Sequence, residues 1–297
     1  MHQHVVIQKA SSLKKILRLG FLSLSLTSLI SCSTHNTSSQ YTDRGRYIVD
    51  HSFPSQSQNE RVRFLIMHYT ALDDAASLKA LTKGNVSAHY LVNSLPEMRD
   101  YKPVILQLVP EEKRAWHAGI SSWNGRGNIN DTSIGIEIVN PGFTQGMLGD
   151  KIWYPFNDKQ MDAIALLAKD IIVRNKIDPD NVLGHSDIAP LRKQDPGRLF
   201  PWKKLALMGI GAWPDDSTVN KYLAGRDKYS PGDVLEIQKS LKKYGYDKIP
   251  QSGVLDEETR TTISAFQMHF RQDDIAGNAD AETEAIAKAL VEKYRQS

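Results

Sequence analysis

Phe64-Leu65-Ile66-Met67-His68-Tyr69-Thr70 is an apolar run that ends in a histidine. Together with Ala88–Asn93, Val104–Val109 and Ser133–Val139, the run from Val62 to Tyr69 is short and rich in apolar and β-branched residues, the signature of strands. Between Asp158 and Lys176 the pattern changes period. Met161, Ile164, Leu167, Ala168, Ile171 and Ile172 recur at helical spacing, which predicts a buried amphipathic helix capped by Asn157 or Asp158. Asn181-Val182-Leu183-Gly184 then reads as a short strand that delivers His185 to its C-terminal end, and Pro201 suits the first turn of a closing helix through Met208. Strands interleaved with helices predict an α/β fold, a mixed central sheet with flanking helices, over residues 46–210.

Outward from that block, 211–228 is rich in Gly, Pro, Asp and Ser and lacks periodicity, so it reads as a linker. Residues 229–297 hold three short helical patterns, marked by Val234, Ile237 and Leu241, by Thr259, Ile263, Phe266 and Phe270, and by Ile286, Leu290 and Tyr294. Gly245 is placed to end the first of them as a left-handed cap. This small three-helix domain has its own periodicity, so a chain ending near Arg226 is expected to keep a folded first domain.

The chain has 297 residues, 40% of them hydrophobic and 24% charged, enough for one sizeable globular domain and a small one. Its formal charge of +3 is misleading. Lys9, Lys14, Lys15 and Arg18 all precede residue 32 in a stretch without acids. Setting those four aside leaves 33 of the 37 basic residues against 34 acidic ones, a formal charge of −1. A nucleic-acid partner has no electrostatic footprint here. The basic stretch is followed by the apolar residues Leu19 to Ile30, too few for a bilayer span of roughly 20 but suited to a signal peptide over 1–31. Leu29-Ile30-Ser31-Cys32 resembles the lipobox of bacterial lipoproteins. That resemblance implies cleavage before Cys32, acylation of that residue and a membrane anchor, with a polar tether over 32–45. Ser33 after the cysteine implies the outer membrane, facing the periplasm. Cys32 is the single cysteine, so no intrachain disulfide forms and no thiolate cluster holds a metal.

Phe64–Thr70 and Gly184-His185-Ser186-Asp187, followed by Lys193-Gln194-Asp195-Pro196-Gly197, look like two halves of one zinc site. Two imidazoles and a carboxylate supply three protein ligands and leave a fourth tetrahedral position for water, the layout of hydrolytic rather than structural zinc. The residues alone leave two carboxylates open. Asp187 would share a face with His185 along an extended chain, while Asp195 sits on a chain bent by Pro and Gly with the Lys193 ammonium two residues away. His89 and His117 are further imidazoles that compete as ligands. Trp116, Trp123 and Tyr154 are candidate aromatic walls.

The ordered series Met67-His68-Tyr69-Thr70, Val86 to Val92, Arg114-Ala115-Trp116-His117-Ala118-Gly119, Ser133-Ile134-Gly135-Ile136-Glu137-Ile138 and Gly184 to Gly197 resembles the zinc-dependent N-acetylmuramoyl-L-alanine amidases of the AmpD and peptidoglycan-recognition type. With the lipobox and the C-terminal segment it resembles AmiD-like lipoprotein amidases. The resemblance implies one zinc ion on His68, His185 and Asp195, Glu137 as general base, and Lys193 as the cation stabilising the oxyanion. It places His117 and His89 outside the set of metal ligands; His117 reads as a substrate contact near the cleft or a structural residue, and His89, in a strand with alternating apolar neighbours, as a packed structural histidine. Residues Val234 to Leu241, Gly245-Tyr246, Gly253, Asp256, Thr259 and Ala265-Phe266-Gln267 resemble a peptidoglycan-binding domain. The expected activity is hydrolysis of the amide between N-acetylmuramic acid and L-alanine in cell-wall turnover. The rivals are a non-catalytic wall-binding protein and a zinc peptidase cutting within the stem peptide.

Overall fold

The computed structural model describes residues 40–147 and 149–295. The expected signal peptide and Cys32 lie outside the described residues. The chain divides into a unit ending at Gln58 and a second from Asn59 to Ser297. In the first, Tyr41–Asp43 pairs antiparallel with Ile48–Asp50. Gly45, at φ 81°, makes the turn, and its N–H donates to Asp43 Oδ1 at 2.7 Å. The last residues expected to be tether thus form one arm of a hairpin.

The second unit is built on a sheet of five strands: β1 (Phe64–Tyr69), β2 (Tyr90–Val92), β3 (Leu106–Gln107), β4 (Ser133–Ile138) and β5 (Val182–Gly184). Their order is β5-β1-β4-β2-β3. The first three junctions are parallel and the last antiparallel, the mixed sheet that the sequence predicts. In register, Glu137 lies opposite His68 and Gly184 opposite Met67.

Strand alternation sends the two sets of side chains to different layers. Leu65, Met67, Ile134, Ile136, Ile138 and Val182 enter one core, covered by Met161, Ile164, Ala168 and Ile171 of helix α2 (Asp158–Asn175). Each of these larger aliphatic side chains contributes about 1.5–3 kcal/mol on burial. Asn157 is the cap, accepting from the Lys159 N–H at 2.9 Å. Helix α1 (Asp74–Lys83) was not anticipated. It buries only Ser77 and Leu81, and its start is fixed by Asp73, which accepts from the Ala76 N–H. Helices α3 (His185–Ile188) and α4 (Trp202–Leu207) follow β5, the latter with Pro201 as its N-cap, one residue before the first turn it was expected to occupy.

The opposite face of the sheet carries Phe64, Ile66 and Leu183, and these do not meet solvent. They belong to one cluster with Trp123, Ile129 and Ile188 and with Ile237, Leu241, Tyr244, Tyr246, Ile263, Phe266 and Phe270 of the C-terminal segment. That segment is helical, with α5 (Asp216–Leu223), α6 (Val234–Tyr244), α7 (Glu257–Phe270) and α8 (Ala281–Tyr294). The stretch read as a linker therefore carries a helix, α5, which packs on α8. Trp123 is the pivot. Its ring meets Tyr246 edge-on at 4.9 Å and Tyr244 at 5.6 Å, and its Nε1–H donates to the Asp180 carbonyl. Gly245 has φ 158° rather than the left-handed value expected of it, and a Cβ there would sit 2.5 Å from the Trp123 ring. Its glycine is required by that close approach. The shared core argues against the expectation that the first domain folds alone, since removal of the helices would take away part of the cover over Phe64, Ile66 and Leu183.

Candidate active site

His68 and Glu137 are the penultimate residues of β1 and β4, side by side on the face that also bears Phe64 and Ile66. The same alternation that buries the lower residues of this face brings two polar groups to the C-terminal rim of parallel strands, where open α/β sheets bind ligands. His185 follows β5 directly and opens the one-turn helix α3. Asp195 is brought back to it by the loop after α3, held by the Ser186 N–H, which donates to the Asp195 carbonyl at 2.9 Å.

These elements make three donor atoms converge. His68 Nδ1 lies 3.0 Å from His185 Nδ1 and 2.9 Å from Asp195 Oδ2, and His185 Nδ1 lies 3.1 Å from the same oxygen. All three residues are buried. Tetrahedral zinc with bonds of about 2.0–2.1 Å would separate its ligand atoms by about 3.3 Å, close to the observed triangle.

The surrounding hydrogen bonds accommodate the tautomers that a cation at that point requires. His185 Nε2–H donates to the Ala118 carbonyl at 3.0 Å, leaving Nδ1 as a bare lone pair. His68 Nε2 lies 2.9 Å from His117 Nδ1, and His117 Nε2 lies 3.1 Å from Ser133 Oγ; with the protons on the two Nε2 atoms this chain leaves His68 Nδ1 bare as well. In those tautomers two lone pairs and a carboxylate converge on one point, a donor set that suits a cation. The residues fit a metal ion. Burial, with the neighbouring His185, lowers the His68 pKa to about 4, so its ring is neutral at pH 7. Burial opposes ionisation of Asp195, but the adjacent imidazoles outweigh it and hold the carboxyl well below its ordinary range.

Glu137 is half-buried on the cleft floor, and its Oε2 is shielded from solvent with no hydrogen-bond partner among the described residues. Burial and then the Asp195 charge push its pKa well above the ordinary carboxyl value, while Lys193 pulls the other way. A carboxylate so placed takes up a proton readily. Lys193 is half-buried at the rim of the same cleft, a space of about 410 Å³ also lined by Tyr69, Trp116 and Phe143.

Residues 58–198 match the N-acetylmuramoyl-L-alanine amidase family, and residues 230–286 match a peptidoglycan binding domain family. The chain is 52% identical over 250 residues to the N-acetylmuramoyl-L-alanine amidase AmiD of Escherichia coli, covering 84% of this chain and 90% of that one. The chain belongs to the N-acetylmuramoyl-L-alanine amidase family. A solved complex of the E. coli amidase AmiD with anhydro-N-acetylmuramic acid-L-Ala-D-γ-Glu-L-Lys superposes with a TM-score of 0.83 at 50% identity, over 87% of this chain and 99% of that one. AmpDh3 of Pseudomonas aeruginosa, solved with an anhydromuramic pentapeptide, gives 0.73 at 45% identity, over 85% of this chain and 98% of the other.

Within this amidase the geometry separates the candidates that the residues alone left open. Asp187 points away from the triangle and accepts from His269, Tyr246 and the Gly184 N–H. His89 is fully buried, accepting from the Gly135 N–H on Nδ1 and facing the Lys113 carbonyl with Nε2, a packed structural histidine as expected. His117 reaches the cleft wall, yet both its nitrogens are engaged inside the protein, so its hydrogen bonds orient His68. Gly135 makes room for it, since a Cβ there would lie 2.5 Å from the His117 ring. A glycine inside the strand Ser133–Ile138 was the available signal for that approach. Of the aromatics, Trp116 is 53% exposed at the cleft with Arg114 stacked on it at 4.0 Å, whereas Trp123 is fully buried. Arg192 was overlooked. Its guanidinium donates to the Ala118 and Ile120 carbonyls at 2.9 Å and straps that loop to the end of α3.

Proposed function

We propose that this amidase binds one zinc ion through His68 Nδ1, His185 Nδ1 and Asp195 Oδ2 and cleaves the amide joining the lactyl group of N-acetylmuramic acid to L-alanine. The observation that carries this reading is the convergence of those three atoms beside Glu137. The substrate in the complex of the E. coli relative supports the choice of bond. Zinc held there supplies Lewis acidity and makes water nucleophilic near neutral pH. Glu137 Oε2 accepts a proton from the attacking water and returns it to the alanine nitrogen as the carbon–nitrogen bond breaks, which an amine leaving group requires. The Lys193 ammonium offers fixed positive charge to the oxygen of the tetrahedral intermediate. His117 and Ser133 hold the His68 ring with its lone pair inward.

The reading extends to location. Cys32 is acylated and anchors the chain in the outer membrane, facing the periplasm, and the C-terminal helices bind peptidoglycan, as their family match suggests. Mass analysis of products from a defined muropeptide tests the reaction. Release of the entire peptide from the lactyl group is expected, and cleavage inside the peptide would instead make the chain a zinc peptidase.

A further inference from the structure

Asp187 lies two residues from His185 but serves the opposite side of α3. Its Oδ2 accepts from the Gly184 N–H at 2.7 Å, closing the first turn of that helix. The same oxygen accepts from His269 Nδ1 at 2.7 Å, and Oδ1 accepts from the Tyr246 hydroxyl at 2.6 Å. Both donors come from the C-terminal segment, Tyr246 just after α6 and His269 within α7. All three side chains are almost wholly buried.

The His269 ring is fixed from both sides. Trp202 stacks on it at 3.8 Å with an interplanar angle of 16°, and Phe270 at 3.9 Å with 6°. Its Nε2 finds no hydrogen-bond partner among the described residues. A buried imidazole with one nitrogen unsatisfied is costly, and the single bond it makes is the one to Asp187.

Helix α3 spans only His185–Ile188. One isolated turn does not hold itself, so its position is set from outside. Gly184 is pinned against Pro196, for a Cβ there would meet Pro196 Cδ at 2.7 Å. The Ser186 N–H holds the Asp195 carbonyl. The turn that Asp187 closes therefore fixes both His185 and the strand of loop that carries Asp195.

We infer that His269 and Tyr246 are positioning residues for the metal centre, acting through Asp187 on His185 and Asp195. The inference rests on the zinc reading above. It makes the C-terminal helices part of the catalytic centre's support as well as a wall-binding candidate. Residues that orient metal ligands from behind typically alter metal affinity 10- to 100-fold when removed.

The test is zinc affinity, measured on the full chain by competition with a chromophoric chelator, alongside thermal unfolding of the metal-free protein. His269→Ala and Tyr246→Phe should bind zinc about 10- to 100-fold more weakly, with turnover restored by excess zinc. His269→Asn, which returns an N–H near the Nδ1 position, should recover part of the affinity. Gln272→Ala is the control. It removes a 2.6 Å bond from the Gln272 amide to the Phe200 carbonyl at the same interface, away from Asp187. It should lower stability and leave zinc affinity unchanged. Tyr246→Phe loses a single hydroxyl, so it remains informative if His269→Ala does not fold. Wild-type zinc affinity in both Asp187-partner variants overturns the inference, as does an equal loss in Gln272→Ala. A wild-type chain that takes up no zinc overturns the metal reading itself, and this inference with it.

Discussion

Ending the chain at Arg226 tests whether the C-terminal helices are a separable module. The cut leaves Phe64, Ile66, Trp123, Ile129, Leu183 and Ile188, each at most 4% exposed, without the cover of α6, α7 and α8. Burying a side chain of this kind is worth about 1.5–3 kcal/mol, so full exposure of all six would cost about 9–18 kcal/mol. Neighbouring residues of the first domain still shield part of each, and halving the figure leaves about 5–9 kcal/mol. Domains of this size have roughly 5–15 kcal/mol in total. The truncated chain should therefore lack a cooperative transition and show little near-ultraviolet circular dichroism, and it should not turn over a small soluble muropeptide. Cooperative unfolding within a few degrees of the intact protein, with normal turnover of that muropeptide, would refute the shared-core argument.

Metal-free protein should lose stability in mild acid. The folded His68 protonates only near pH 4 against 6.5 when free, so between those values the unfolded chain binds more protons and stability falls as pH falls. At pH 5 the loss relative to pH 7 is about 2 kcal/mol from this residue alone, measurable as a lower urea midpoint after chelation. Glu137→Gln and Lys193→Ala should retain stoichiometric zinc by elemental analysis while turnover drops about 10²-fold or more; normal turnover in Glu137→Gln would remove it from the proton transfer. Cys32→Ser should shift the exported protein from the membrane pellet to the soluble periplasmic fraction, and wild type found soluble after export would exclude the anchor.

Much of the site was legible because its signals are local. An apolar run that stops at His68, a second that stops before His185, and a carboxylate near the end of Ser133–Ile138 are each readable in one strand, and parallel register then aligns them. Helix α1 was invisible for the converse reason, since its apolar residues are mostly small and it buries only Ser77 and Leu81. Helix α5 is only eight residues long and buries none of them fully, so its short stripe of Val219, Tyr222 and Leu223 was lost among the surrounding Gly, Pro, Asp and Ser. The Gly135 position was readable as a gap in a strand, but only the folded chain says that the His117 ring fills it.

The sequence by itself determined the alternating sheet, the long helix over one face and the order in which ligand-bearing segments return to one rim. Periodicity reports that a face is apolar and says nothing of what will cover it. Only the tertiary structure decided that the second face of the sheet is closed by helices from the far end of the chain. It also decided between Asp187 and Asp195. Local sequence left both open as ligands, but Asp187 is held by partners 59 and 82 residues away, while Asp195 is turned toward His68, 127 residues away. A carboxylate's role is set by the charges and donors around it, and those are assembled by chain segments that no local pattern connects.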